Sequence, residues 1–401
     1  MKTLTSAYKY LFLLFFFVVL SALVYNILNL SISYKEALNF FINNSLLSII
    51  TNASTIILGQ NDFGLRFPFL LFYILSVVLM YKLTEDFFKK ESDRYINLAI
   101  FSILPGLLSA SILVNSAIIV TFFTLLYIYI FKVTSKHSYI LLVLFLFLDN
   151  SYAIFFLALF FYSLKKRDTN LLIVSLVLFG ISMGIYGFDS GGKPKGFLID
   201  TFAIYASIFS PLLFIYFFYS IYRIGIKENK TLTWYISMTS LFFSLLISFR
   251  QRIYIEDYAP FVVIFLPYMV RLFFNSIRIR LPRFRKKHYN VTIATLVVLL
   301  LSVFLTLFNK PLYLLVSEPK KHFAYKYDFV EDIAIELKKR NINYVNSEDE
   351  KLLLRLRFYG IESGKKYYIT TKEQFFYDYK IDVKYFNKIL YTTYIIKENE
   401  K

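Results

Sequence analysis

The sequence predicts an all-α polytopic membrane protein of roughly 8–10 transmembrane helices, followed by a small C-terminal α/β domain. Three observations predict it. The 401 residues are 57% hydrophobic with a mean hydropathy of +0.56, more apolar surface than a soluble core hides. The apolar residues fall in separate runs near bilayer length, at 10–30, 68–81, 170–187, 201–222, 232–248, 259–270 and 289–308. Basic clusters punctuate the runs, as the positive-inside rule requires. A bilayer leaves backbone polar groups no water, so each run is expected to be helical.

Lys2 and Lys9 precede the first run, which lacks a small-x-small cleavage site near its end. An uncleaved first span with a cytoplasmic N-terminus is expected. The basic clusters are Lys82 to Arg94, Lys132 to His137, Lys165 to Arg167, Arg223 to Lys230 and Arg278 to His288. Between consecutive clusters the chain crosses an even number of times. Residues 95–131 are therefore a hairpin that turns near Ser111 to Ser116, with Pro105 kinking its first helix. Residues 138–164 form a second, short hairpin turning at Asp149-Asn150-Ser151. The sum is roughly ten spans, or eight if the short hairpin is re-entrant.

With the N-terminus inside, four segments fall outside: 31–67, 188–200, 249–258 and everything after about 309. Reporter fusions at Glu318 and Lys89 should then read opposite sides. Ala37, Phe40, Phe41 and Asn44 give the 31–67 segment a partly apolar face, expected to lie on the membrane surface. The organisation is thus a transmembrane domain over 1–308 with the outer loop 31–67, and a small outer α/β domain over 309–401. In the latter, Phe329, Val330, Ile333 and Leu337 have helical spacing. Ile342 to Val345, Tyr367 to Thr370 and Ile389 to Ile396 read as strands. Ser347 to Glu350 reads as a capping box before a helix at Leu352 to Phe358, and Thr370 to Glu373 as a second one.

Composition narrows the chemistry. No cysteine is present, which removes disulfides and thiolate metal sites. His137, His288 and His322 stand in no metal-ligand spacing. The formal charge of +18 suggests nucleic acid at first sight, but the basic residues sit at helix ends, so no nucleic-acid partner is expected. The wealth of Lys, Asn, Ile, Phe and Tyr suggests an AT-rich bacterial genome as the source.

The segment Gly59-Gln-Asn-Asp-Phe-Gly-Leu-Arg66-Phe-Pro68, an apolar span, and then Tyr81 to Lys89 resemble the GT-C superfamily of membrane glycosyltransferases. The likeness is greatest to the branch of protein O-mannosyltransferases and lipid A aminoarabinose transferases. In that branch a "G…RLP" element enters the second transmembrane helix. Leu104-Pro105-Gly106 and Leu113-Val-Asn115-Ser-Ala stand where the family carries its next elements. Phe249-Arg-Gln-Arg-Ile-Tyr-Ile-Glu-Asp-Tyr-Ala-Pro260 resembles the late "R…Y…P" loop. The likeness covers residues 1–165 best and runs more loosely to about 276.

The resemblance implies an enzyme that moves a sugar from a polyprenyl phosphate to a periplasmic acceptor: glycan, lipid or protein. Its partners are then the bilayer, the lipid-linked sugar and that acceptor. Inverting transfer needs a carboxylate to orient or deprotonate the acceptor and cations to stabilise the departing phosphate. Glu36, in Tyr34-Lys35-Glu36-Ala37, is the candidate base; its alternative is an interfacial surface charge. The family carries an Asp-Glu pair there. Lys35 replaces the first acid, which weakens a divalent-metal reading, and the cofactor is unknown. Asn115 lies where relatives carry a second acid, and as an amide it could bind or cap a helix. Arg250 and Arg252 stand outside against the charge bias and are candidate phosphate ligands, or snorkelling side chains. Lys193 and Lys195, in the glycine-rich Gly191 to Gly196 loop, could cradle phosphate or belong to a plain flexible loop. Arg66 is expected to brace the first outer loop, with phosphate binding as the alternative. Asp149 could substitute for a missing carboxylate or be a turn residue. Tyr258 belongs to the late loop.

Other classes predict other patterns. A secondary transporter predicts broken helices and ionisable residues at mid-membrane, which the sequence does not display. A polymerase of lipid-linked glycan would share donor and location. A non-catalytic relative is the remaining alternative, given Lys35 and Asn115.

Overall fold

The computed structural model describes residues 2–187 and 196–397. In chain order the helices are α1 (Lys2–Leu28), α2 (Tyr34–Phe41), α3 (Leu46–Leu58), α4 (Asp62–Leu83), α5 (Glu91–Ser102), α6 (Pro105–Ile112), α7 (Ala117–Thr134), α8 (Tyr139–Leu148) and α9 (Tyr152–Lys166). There follow α10 (Thr169–Tyr186), α11 (Leu198–Phe209), α12 (Pro211–Lys227), α13 (Leu232–Ser248), α14 (Ala259–Val263), α15 (Leu266–Ile279) and α16 (Pro282–Leu307). The C-terminal elements are α17 (Val330–Lys339), β1 (Tyr344–Asn346), α18 (Glu350–Phe358), β2 (Glu362–Thr370), β3 (Tyr379–Tyr385) and β4 (Lys388–Lys397). Among the described residues six helices are long and apolar enough to cross a membrane, or up to nine if each of three bent helix pairs counts as one span. The chain is therefore a multi-helix protein of membrane-like character with a small C-terminal sheet.

The compact units divide differently from the expected 1–308 and 309–401. One unit holds Met1–Ser21 and Phe69–Thr306; the other holds Ala22–Pro68 and Leu307–Lys401. The segment 31–67 thus folds with the C-terminal sheet. The reason lies in its apolar face. Ala37 is buried, the Phe40 ring meets Phe358 edge-on at 5.4 Å, and the Arg357 guanidinium lies 4.7 Å over Phe41. The face expected on the membrane surface packs on α18.

In the helical unit the chain leaves its helices near both turns expected from sequence. Residues 113–116 and 149–151 are the turns, and Pro105 follows a 51° bend between α5 and α6. The run 201–222, expected as one span, is broken. Ser210 has φ +80° and Pro211 starts α12, so α11 and α12 meet at 102°. Proline there cannot continue the preceding hydrogen-bond ladder.

Three of the basic clusters, Lys82 to Arg94, Lys132 to His137 and Arg278 to His288, touch through side chains. Lys132 donates to the Leu83 carbonyl at 3.2 Å, and Arg278 pairs with Asp93. His137 stacks on Phe131 at 4.4 Å and meets Tyr162, which in turn meets Tyr235 at 5.7 Å. Near the turns between clusters, Tyr152 donates to the Val120 carbonyl at 3.4 Å and packs on Phe261.

In the second unit the sheet order is β1-β2-β4-β3, with β1 parallel to β2 across α18 and the other pairs antiparallel. Val330, Ile333, Leu337, Leu352, Leu356, Ile369 and Ile395 fill its core. The Tyr379–Tyr385 strand was not expected, although Ile381 and Val383 alternate with polar residues and are buried. The two expected capping boxes do not form. Asp349 caps α18 by accepting from Lys351 and Leu352. Thr370 ends β2, and its hydroxyl accepts from the Lys372 amide.

Candidate functional site

The segment carrying the family resemblance builds a buried ionic cluster. Gly59 turns the chain out of α3 with φ +87°. A Cβ at Gly64 would run into the Gly59 carbonyl, so glycine is required there. The turn starts α4 at Asp62 and places Arg66 one helical turn later. Pro68 offers no N–H to the Gly64 carbonyl; the Ser54 hydroxyl donates to it instead, at 2.6 Å.

Arg66 is fully buried. Its Nη1 donates to the Leu30 carbonyl and to Asp62 Oδ1, the latter at 3.1 Å. Its Nη2 donates to the Ser31 carbonyl and to Glu36 Oε2, both at 3.1 Å. Nη1 also reaches the Ile27 carbonyl at 3.5 Å, one of the carbonyls the end of α1 leaves unpaired. The sequence expectation that Arg66 braces this segment describes its contacts.

Glu36 is not an open carboxylate. Its side chain is 2% exposed. Ser33 and Glu36 form a reciprocal capping box at the start of α2. Glu36 Oε2 accepts from the Ser33 amide at 2.8 Å as well as from Arg66. The interfacial surface charge weighed from sequence does not match this placement, and a base here would have to give up the Ser33 amide or Arg66. The missed signal was Ser33-x-x-Glu36, a capping signature readable in the sequence.

Two further residues complete the cluster. Tyr359 donates to both Asp62 oxygens, at 3.0 and 2.9 Å, and accepts from the Ile32 amide at 2.8 Å. Burial pushes its hydroxyl well above the ordinary tyrosine range, so it remains a proton donor. Arg355 donates to the Ile32 carbonyl at 2.7 Å and to the Lys326 carbonyl at 2.9 Å. Neither residue carries a sequence pattern that marks it. A divalent cation does not fit between Glu36 and Asp62, because a guanidinium occupies that position. Among the described residues no group of three or more potential side-chain ligands gathers.

The other candidates lie in the helical unit. Arg250 and Arg252 are exposed just beyond α13. The loop they occupy is anchored on both sides. Ser248 accepts the Phe197 amide through its carbonyl at 2.9 Å, and Ser240 donates to the Tyr258 carbonyl at 2.9 Å. Ser237 donates to Phe261 in the same way, at 2.7 Å. Tyr258 is buried at the start of α14. Asn115 accepts from the Ala117 amide at 3.0 Å, the geometry of an Asx turn just before α7, whose N-cap Ser116 makes no side-chain cap bond. Asp149 accepts from the Ser151 amide at 2.9 Å, the geometry of a turn residue. Lys193 and Lys195 lie outside the described residues.

Neither the family models nor the curated proteins compared with this chain give a match. What fold and site define is a class: a multi-helix, membrane-like chain with a buried arginine–carboxylate cluster in its smaller unit.

Proposed function

We propose that the chain is a membrane glycosyltransferase of GT-C type, moving a sugar from a polyprenyl-phosphate donor to an acceptor at the outer face of a bacterial inner membrane. One observation carries the reading. The two segments that bear the resemblance, around Glu36 and from Gly59 to Pro68, converge on a single buried cluster of Arg66, Glu36 and Asp62. Clusters of buried ionisable groups gather at functional sites as well as in structural ion-pair networks. Arg250 and Arg252 are the proposed phosphate ligands, exposed and able to fork onto phosphate oxygens. Glu36 is the proposed acceptor-side carboxylate. For that role an acceptor hydroxyl must replace the Ser33 amide or Arg66 on its carboxylate.

A specific observation favours a second reading. A carboxylate committed to a capping box and a buried arginine suits a non-catalytic relative. The transporter reading gains broken helices at α5–α6 and α11–α12, but the breaks at 103–105 and 209–211 carry no ionisable side chain. A deletion strain decides between transfer and no transfer. Mass spectrometry of its surface glycans should lack one sugar substituent, restored by the wild-type gene and not by the Arg250→Ala/Arg252→Ala double variant. Surface glycans, lipid A and envelope proteins all left unchanged by the deletion would overturn the enzyme reading.

A further inference from the structure

The helical unit holds a groove that the proposed transfer does not use. We infer that it binds an anionic glycerophospholipid, with an acyl chain along the groove and the phosphodiester on its basic rim. The inference rests on the multi-pass membrane reading and is independent of the proposed transfer.

The groove measures about 1030 Å³ and runs between α5, α12, α15 and α16. Its walls are apolar: Leu213 and Tyr216 from α12, Val270 and Phe273 from α15, Leu296 and Leu299 from α16. Such a volume is at the top of the range of small-molecule sites, and its length of apolar wall suits a hydrocarbon chain. Within a bilayer the only abundant solute that fills it is lipid.

The polar end selects the headgroup. Lys90, Arg278, Arg280, Arg285 and His288 line it. Asp93 is the only carboxylate lining the groove among the described residues, and it is spent on Arg278. The arginines are held in place by a few contacts. Arg285 Nε donates to the Arg280 carbonyl at 2.8 Å, and Arg280 Nε to Ser276 Oγ at 3.3 Å. The two Nη atoms of Arg280 and Nη1 of Arg285 donate to no described residue. Pre-oriented guanidinium forks beside an apolar channel match a phosphodiester with a chain attached. Both clusters that supply the rim, Lys82 to Arg94 and Arg278 to His288, belong to the side that the charge pattern makes cytoplasmic. Glycerophospholipid is the anionic lipid that this leaflet offers in excess, and juxtamembrane basic residues bind it.

The test uses the full chain in nanodiscs of about equal phosphatidylglycerol and phosphatidylcholine, read by native mass spectrometry. Wild type should retain phosphatidylglycerol preferentially. Arg280→Gln/Arg285→Gln should lower that retention about tenfold. Thr295→Trp, which fills the groove without changing charge, should lower it too. Lys165→Gln/Arg167→Gln, in another basic cluster, should leave it intact. Equal retention of the two lipids, or retention that neither groove variant lowers, would overturn the site. A retained polyprenyl phosphate in place of glycerophospholipid would overturn the occupant. A chain that stays outside the bilayer would remove the multi-pass reading and this site with it.

Discussion

At the residue scale, Arg66 shows how burial turns a charged side chain into a structural pin. It joins the end of α1, the start of α2 and the start of α4 through five acceptors. Removing one partner of a buried pair strands the others and costs about 3–5 kcal/mol. Arg66→Met should therefore lower the thermal stability of the smaller unit by that order, read as faster proteolysis within 22–68. Tyr359→Phe deletes one hydroxyl that serves Asp62 and the Ile32 amide, and should cost about 1–3 kcal/mol. His322 offers a pH dependence. It is buried, accepts from the Ala324 amide at Nδ1 and donates from Nε2 to the Asn309 carbonyl. Burial lowers its pKa from the ordinary value. The unfolded chain thus binds this proton more readily. Its stabilising contribution is complete above about pH 6.5 and is lost as pH falls from there through the lowered folded value. Proteolysis of 309–330 should quicken on acidification, and His322→Gln should flatten that response. Of these residues, Arg66 was legible through its motif. Tyr359 and Arg355 were not, because contacts over some three hundred positions of sequence leave no local pattern.

At the element scale, local rules succeed where the chain is regular and fail where competing caps exist. The Ser33 box is a real start signal; Ser33→Ala should cost about 1 kcal/mol, measured as a lower Tm of the full chain. The box expected from Ser347 to Glu350 yields to Asp349, one of several polar side chains in that run able to cap. Thr370 heads no helix because β2 pairs with β4 up to that residue. The break at Ser210 was written in Ser-Pro, yet apolar content across 201–222 outweighed it. Ser210 holds a conformation that costs about 1–3 kcal/mol without glycine. Its buried hydroxyl finds no partner among the described residues. Ser210→Gly should raise the Tm; a lowered Tm would show that the hydroxyl contributes more than the strain costs.

At the scale of the whole molecule, charge fixed more than hydropathy did. Apolar runs blurred the broken helices, whereas three of the five basic clusters, 82–94, 132–137 and 278–288, touch through side chains in the helical unit. The domain division was not legible, because the packing of α2 on α18 depends on matching faces far apart in sequence. The chain has no cysteine, so single cysteines at Lys89, Lys166 and Lys227 should label from one side of the membrane, and at Asn150 from the other. The central claim is sugar transfer. Its most direct measurement is turnover by purified protein in liposomes with defined polyprenyl-phosphate sugars and extracted surface glycan. Wild type should transfer sugar, Arg250→Ala/Arg252→Ala should weaken donor use, and Glu36→Gln, folded to the same extent, should lose about 10²–10⁴ in rate. Wild-type turnover by Glu36→Gln would remove that carboxylate from the chemistry, and no transfer by the wild type from any such donor would contradict the enzyme.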